Sequence, residues 1–358
     1  MRKYIYLSFI ILIALVTVVV LTTTNSSTKV IAIDSSKISG YDFNSCKLDD
    51  AECLSAVMSS IYKKDGLTKG VQALKSYLVT NPGQVTSCHT GAHRIGDLAW
   101  KEYGNILDIY ELGSGICSFG LLHGAITGSF DGLSEEEIKS NAKTLCTKLR
   151  SQNPSAGDEC DHGIGHAAVV TFLDFTKGAL LCEELSIDIS KHSCVSGAVM
   201  EYTSAFSQDP IQAAKLSTDL YSKCLELSPI SMAKACVFAA SSPSIRADGK
   251  EGDPTKAWAR CKVLGEEFLL SCAEGIGVAM PSVSNWSIPA GASVCNGLPA
   301  EYGASCVEGM VNIFGTVFLD YDLSLKYCAE LKGKLNEICT AELPTVKSNI
   351  EKYKIARS

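Results

Sequence analysis

Hydrophobic and polar positions divide the chain into three regimes. From Tyr4 to Leu21 the residues YIYLSFIILIALVTVVVL run without a charge, behind the basic start Met1-Arg2-Lys3. From Thr22 to Asn44 the pattern is polar, rich in Ser and Thr, and without sustained period. From Cys46 onward apolar residues recur at three- and four-residue spacing, the period of one helix face. Strand signals are scarce, and the short run Val30 to Ile33 has no neighbouring partner.

The helical regime predicts elements at definite points. Asp49 to Lys63 and Leu67 to Thr80 are two amphipathic runs, and Asn81-Pro82-Gly83 ends the second. Ser134 with Glu137 has the capping-box pattern and opens a helix expected to reach Arg150. Asp209-Pro210 and Asp253-Pro254 read as helix starts, each an N-cap carboxylate followed by proline in the first turn.

Composition adds a compartment. Of 358 residues, 46% are hydrophobic, ample for a buried core. The apolar run at the N-terminus is just long enough to span a bilayer as a helix. Positive residues before it and none directly after it place the body outside. Residues 1–21 therefore read as a signal anchor or a cleaved signal peptide, and 22–45 as a polar linker. The run is long for a cleaved peptide and no A-x-A-like site follows, which favours the anchor. Sixteen cysteines in an exported chain read as disulfides. Asn25 and Asn285 head N-x-S sequons.

Aligning the cysteines brings out a repeat. The pairs are Cys146/Cys160, Cys182/Cys194, Cys224/Cys236, Cys261/Cys272, Cys295/Cys306 and Cys328/Cys339, with separations of 14, 12, 12, 11, 11 and 11 residues. Cys46/Cys53 and Cys88/Cys117 fit the scheme less closely. A glycine often stands three residues after the second cysteine, as in CDHG, CVSG, CAEG and CVEG, and CHTG and CSFG share it upstream. The second cysteines recur every 33 to 42 residues, a period that belongs to stacked helical hairpins. One hairpin cannot bury its own apolar face, so it stacks on its neighbours. The glycine, one turn inside the second helix, would let another helix approach closely. The expected fold is all-α, stacked helical-hairpin repeats (solenoid or α/α toroid) stapled by disulfides. The repeat domain spans 46–343 and a basic tail 344–358.

These hairpin disulfides and their period resemble the cysteine-rich, tetratricopeptide-like repeats of some secreted bacterial proteins, over roughly Lys148 to Leu343. The resemblance implies a right-handed helical solenoid with a concave binding surface and no catalytic residue. GLLHGAITG (Gly120 to Gly128) is similar to the G-x-x-H-G turns of lanthionine cyclases, whose α/α toroids bind zinc with free thiolates. Here the cysteines read as paired.

Candidate chemistry is concentrated in the histidines. His89, His93, His123, His162 and His166 are five of the six, and each follows closely after a cysteine. Two pairs are His-x-x-x-His, which on a helix share one face. Asp97 extends the first pair by a turn. His123 and His166 both stand six after their cysteines, and Glu201 stands seven after the next one, Cys194. Asp97, Asp161 and Glu201 offer carboxylates as ligands or as acceptors for imidazole N–H. Imidazole with carboxylate, where sulfur is tied up in disulfides, suits a transition metal: copper, zinc or iron. His192, just before Cys194, reads as an inter-helix turn residue.

Other chemistries find little support. There is no H-E-x-x-H, no G-x-S-x-G, no phosphate loop and no C-x-x-C. A formal charge of −7 without a basic stripe in the body argues against nucleic acid. Two readings stay open. One is a metalloprotein whose ion activates water or dioxygen. The other is a metal-free solenoid that binds a peptide, glycan or membrane-protein partner at the cell surface. Convergence of the five rings on one cleft would separate them.

Overall fold

Six of the described helices open on a side chain that satisfies a first free amide: Ser134, Asn153, Asp174, Asp253, Ser287 and Asp320. The fold is that of a computed structural model, which describes residues 46, 51–81, 85–113, 115–204, 219–247, 252–283 and 287–357. The expected anchor, the linker and the Asp209-Pro210 start lie outside these residues. Among the described residues no helix is long and apolar enough to cross a membrane.

The first helix, α1 (Ala51–Thr80), contains the expected break. Gly66 has φ 81°, a conformation that glycine adopts without Cβ strain, and it divides the two amphipathic runs. Then come α2 (Val85–Tyr103), α3 (Ile106–Gly113) and α4 (Gly120–Phe130). Helix α5 (Glu135–Leu145) opens with the full capping box between Ser134 and Glu137. It ends at Cys146, earlier than expected, and a short α6 (Thr147–Gln152) follows. Asn153 caps α7 (Pro154–Phe172) with proline in the first turn, and Asp174 caps α8 (Phe175–Leu181).

The remaining helices are α9 (Asp188–Ser204), a helical stretch at 219–225, and α10 (Ile230–Arg246). They are followed by α11 (Pro254–Cys261), α12 (Leu269–Val283), α13 (Ile288–Gly297), α14 (Ala300–Ile313), α15 (Tyr321–Glu330) and α16 (Lys334–Arg357). Asp253 accepts from the Thr255 and Lys256 amides at the predicted α11 start. No β-strand occurs among the described residues.

Packing is sequential. The helices α1, α2, α4, α7, α9, α10, α12, α14 and α16 stack each on the next, and the intervening short helices pack against them. Helix α16 also reaches back to touch α7. It continues into the basic end of the chain with Val346 and Ile350 buried.

All sixteen cysteines are paired as the spacing suggested. Cys146–Cys160, Cys182–Cys194, Cys224–Cys236, Cys261–Cys272, Cys295–Cys306 and Cys328–Cys339 each tie a covering helix to the start of the next stacked one. Cys46–Cys53 and Cys88–Cys117 complete the set. Closing a loop of this length contributes roughly 3 kcal/mol in the chain-entropy account. Eight disulfides also mark an oxidising, extracytoplasmic compartment.

Gly197, Gly275 and Gly309, each three after a second cysteine, lie at backbone contacts between stacked helices, whereas Gly163 lies against the Ile126 and His123 side chains. A Cβ on Gly197 would stand 1.9 Å from the His162 carbonyl, on Gly275 2.1 Å from that of Phe238, and on Gly309 2.2 Å from that of Glu274. The return contact uses a second glycine: Gly165 meets the Cys194 carbonyl at 1.8 Å and Gly277 that of Cys306 at 2.0 Å. No side chain fits there. Gly165→Ala should therefore destabilise by about 1–3 kcal/mol through overpacking, against the roughly 1 kcal/mol that Ala gains as a helix former. Gly297 has no atom within 4 Å of its Cβ position, so Gly297→Ala should be neutral or stabilising. Thermal melts of the two oxidised variants check the difference.

Candidate metal centre

Three consecutive stacked helices carry the histidines: α2 bears His89 and His93, α4 bears His123, and α7 bears His162 and His166. Glycine sets their spacing. A Cβ on Gly124 would stand 1.9 Å from the His93 carbonyl and one on Gly120 2.6 Å from that of His89. One on Gly163 would meet the His123 ring at 3.0 Å. With backbones this close, rings on three helices reach a common space. The turn into α4 is built for the same purpose. Cys117, Ser118 and Phe119 all have φ between 50° and 63°, a costly run for non-glycine residues. It places His123 in the first turn of the helix, its amide bonded to the Phe119 carbonyl at 3.0 Å.

All five rings form one cluster. Centroids are 4.6 Å apart for His89/His93 and 4.9 Å for His162/His166. His123 sits between the pairs, 5.3 Å from His89 and 5.2 Å from His166. His93 and His166 are 5.7 Å apart. His123 and His166 are buried, and His89, His93 and His162 are partly exposed. One ring nitrogen each from His89, His123 and His166 lies within 4.8 Å of the other two.

Hydrogen bonds fix which nitrogen faces inward. A carbonyl can only accept, so His89 Nδ1–H donates to Cys117 O at 2.8 Å and His123 Nε2–H to Glu159 O at 3.1 Å. His166 Nδ1–H donates to the Glu201 carboxylate at 2.8 Å. The inward nitrogens of His89, His123 and His166 then carry lone pairs. His93 Nε2 lies 3.0 Å from His89 Nε2 and can donate to it. His162 Nε2 lies 3.2 Å from His166 Nε2 and can donate to it. His123 Nδ1 is buried with no hydrogen-bond partner. Rings with the outer N–H tied and the inner lone pair free have the arrangement of metal ligands.

The carboxylates have partners of their own in this structure. Glu201 orients His166 from outside the cluster. Asp97, a turn beyond His93, gives Oδ2 to Arg94 at 2.7 Å and Oδ1 to Lys101 at 3.1 Å. Asp161 is buried and held by Arg150, which also pairs with Asp158, and burial raises its carboxyl pKa. His192 lies inside α9, not in a turn, with its ring 4.6 Å from that of Phe238. Sequence reasoning missed the carbonyl acceptors at Cys117 and Glu159, because every residue carries a carbonyl and no side chain marks these two.

No family model matches the chain, and neither a curated protein nor a solved structure matches it. What the structure shows of the expected repeat is an all-helical chain of disulfide-stapled helix pairs.

Burial lowers the pKa of His89, His93, His123 and His162, and repulsion among neighbouring rings adds to it. The folded chain thus binds protons less readily than the unfolded one. Stability from these groups is fully present above the unfolded value of about 6.5 and is lost as pH falls through it toward the lower folded values. Metal-free oxidised protein should show a Tm that falls between about pH 7 and pH 5. The dependence should flatten in a H89Q/H93Q/H123Q variant, as measured by thermal melts across pH.

Proposed function

We propose that this chain is an exported, disulfide-stapled helical-repeat protein, held at the membrane by its apolar N-terminal segment, that binds a transition metal in the five-histidine cluster. One observation carries the reading: ring nitrogens of His89, His123 and His166 converge within 4.8 Å of one another, and nothing donates to the buried His123 Nδ1. Leaving buried polar atoms unsatisfied costs about 1–3 kcal/mol each, and a bound cation removes that cost. His89, His123 and His166 are the minimal set able to hold an ion.

Copper, zinc and iron suit imidazole donors, and with every cysteine in a disulfide no thiolate competes. The partly exposed rims at His89, His93 and His162 give solvent or a small substrate a route to the ion. Activation of water or dioxygen is the chemistry such a site supports. The rival reading, a metal-free scaffold for a peptide, glycan or membrane-protein partner, leaves the buried His123 Nδ1 without a role.

Full-length protein, purified from an oxidising compartment without a His-tag, should contain stoichiometric copper, zinc or iron by elemental analysis. A H89A/H93A/H123A variant should contain none. Folded protein that holds no metal and takes none up on reconstitution would sink the reading.

A further inference from the structure

We propose that the cluster divides three to two. One divalent ion sits on His89 Nε2, His123 Nδ1 and His166 Nε2. His93 and His162 are not ligands but N–H donors, and they serve a small anion at the ion's open position. The inference rests on the metal-binding reading and gives that site its ligands and the class of molecule it takes.

The three ligands come one from each stacked helix: His89 from α2, His123 from α4 and His166 from α7. Their ring nitrogens form one group within 4.8 Å. In each ring the opposite nitrogen is committed. His89 Nδ1–H donates to the Cys117 carbonyl, His123 Nε2–H to that of Glu159 and His166 Nδ1–H to the Glu201 carboxylate. A metal-bound imidazole has this support, which fixes its tautomer and its orientation.

His93 and His162 are placed differently. Their Nε2 atoms lie 3.0 Å from His89 Nε2 and 3.2 Å from His166 Nε2. Both of those partners present lone pairs, so His93 and His162 are the donors. Two of the three ligand lone pairs are thus held by a neighbouring N–H. The third, on His123 Nδ1, has no hydrogen-bond partner. An ion and an N–H cannot share one lone pair. An ion about 2.1 Å from a ligand nitrogen takes the donor's place and displaces both N–H groups. The displaced rings remain one helical turn from the ligands, on the same faces. They are partly exposed, whereas His123 and His166 are buried, so the released donors stand toward solvent.

Charge identifies what these donors receive. Three imidazole ligands are neutral and leave the ion's charge uncompensated at contact. Glu201 and Glu159 lie behind the ligand rings, on His166 Nδ1 and 3.9 Å from His123 Nε2. The Asp97 carboxylate is held by Arg94 and Lys101. An ion with three protein ligands keeps a fourth position open. An anion there supplies the missing charge and accepts charge-assisted hydrogen bonds from His93 and His162. Ligand-ring centroids 5.2 to 6.3 Å apart leave space for a small anion only.

The test uses Cu(II), which binds nitrogen sites at least as tightly as zinc or ferrous iron. Metal-free full-length chain is titrated against a competing chromophoric chelator. The copper-loaded chain is then titrated with azide, followed by its charge-transfer absorption. The native chain should take one Cu(II) and bind azide. H93L/H162L, checked for folding by circular dichroism, should keep one Cu(II) at native affinity or up to about tenfold tighter, since no donor competes. Its azide affinity should fall about tenfold or more. H93Q/H162Q retains amide N–H groups and should recover most of that loss. Copper affinity more than about tenfold weaker in H93L/H162L shows ligands there. That result overturns the inference and leaves the metal-binding reading standing. Two Cu(II) per native chain, no azide binding, or azide affinity equal in native and H93L/H162L does the same. Failure of the native chain to bind copper, zinc or iron overturns both readings. If the variants do not fold, X-ray absorption of the copper-loaded native chain decides: three imidazoles support the inference, and four or five overturn it.

Discussion

Contact between helix backbones at glycine is the constraint on which this structure depends. At Gly124, Gly165, Gly197, Gly277 and Gly309 a carbonyl of the neighbouring helix occupies the space a Cβ would need. Such contacts fix both the distance and the register of successive stacked helices. The disulfides tie each covering helix to the same region, within a few residues of the glycine. The repeat is therefore a backbone device first and a hydrophobic one second. Its core is rich in small residues: Ala92, Ala99, Ala125, Ala167, Ala168, Ala198 and Ala273 are all buried.

The histidine cluster follows from that spacing. Rings borne by helices at ordinary separation would be parted by other side chains. Here the carbonyls of His89, His93 and His162 themselves lie against glycines of the next helix. The imidazoles then enter one space, with the Cys117 carbonyl in the turn before α4 and the Glu159 carbonyl in α7 within reach of the outer nitrogens of His89 and His123. The same contact that stabilises the stack thus also selects tautomers.

Much of this was legible in the sequence. Cysteine spacing alone suggested every bridge, because helix–turn–helix geometry brings neighbouring cysteines together. The capping box at Ser134, the Asp253 start and the break near Gly66 were local signals with local causes. The five histidines could be found because periodicity puts pairs four apart on one face. Asp97 looked equally well placed, yet Arg94 and Lys101, three before and four after it, hold its carboxylate. A ligand spacing cannot show which competitor reaches a side chain first. Glu201 was legible as a contributor, but only tertiary packing shows that it acts through His166. The left-handed run from Cys117 to Phe119 had no local signature, since none of its residues is glycine. His192 was misread because proximity to a cysteine elsewhere marks a turn, whereas α9 begins before it.

The connectivity of the bridges has a consequence for biogenesis. Every cysteine pairs with the next one in the chain, so no bridge encloses another and none waits for a distant segment. A chain emerging from a translocation pore could oxidise each pair in order of appearance. The correct partner would always be the nearest unpaired thiol already exposed. Maturation then needs an oxidant far more than it needs an isomerase, and the stack can grow unit by unit from its N-terminal end.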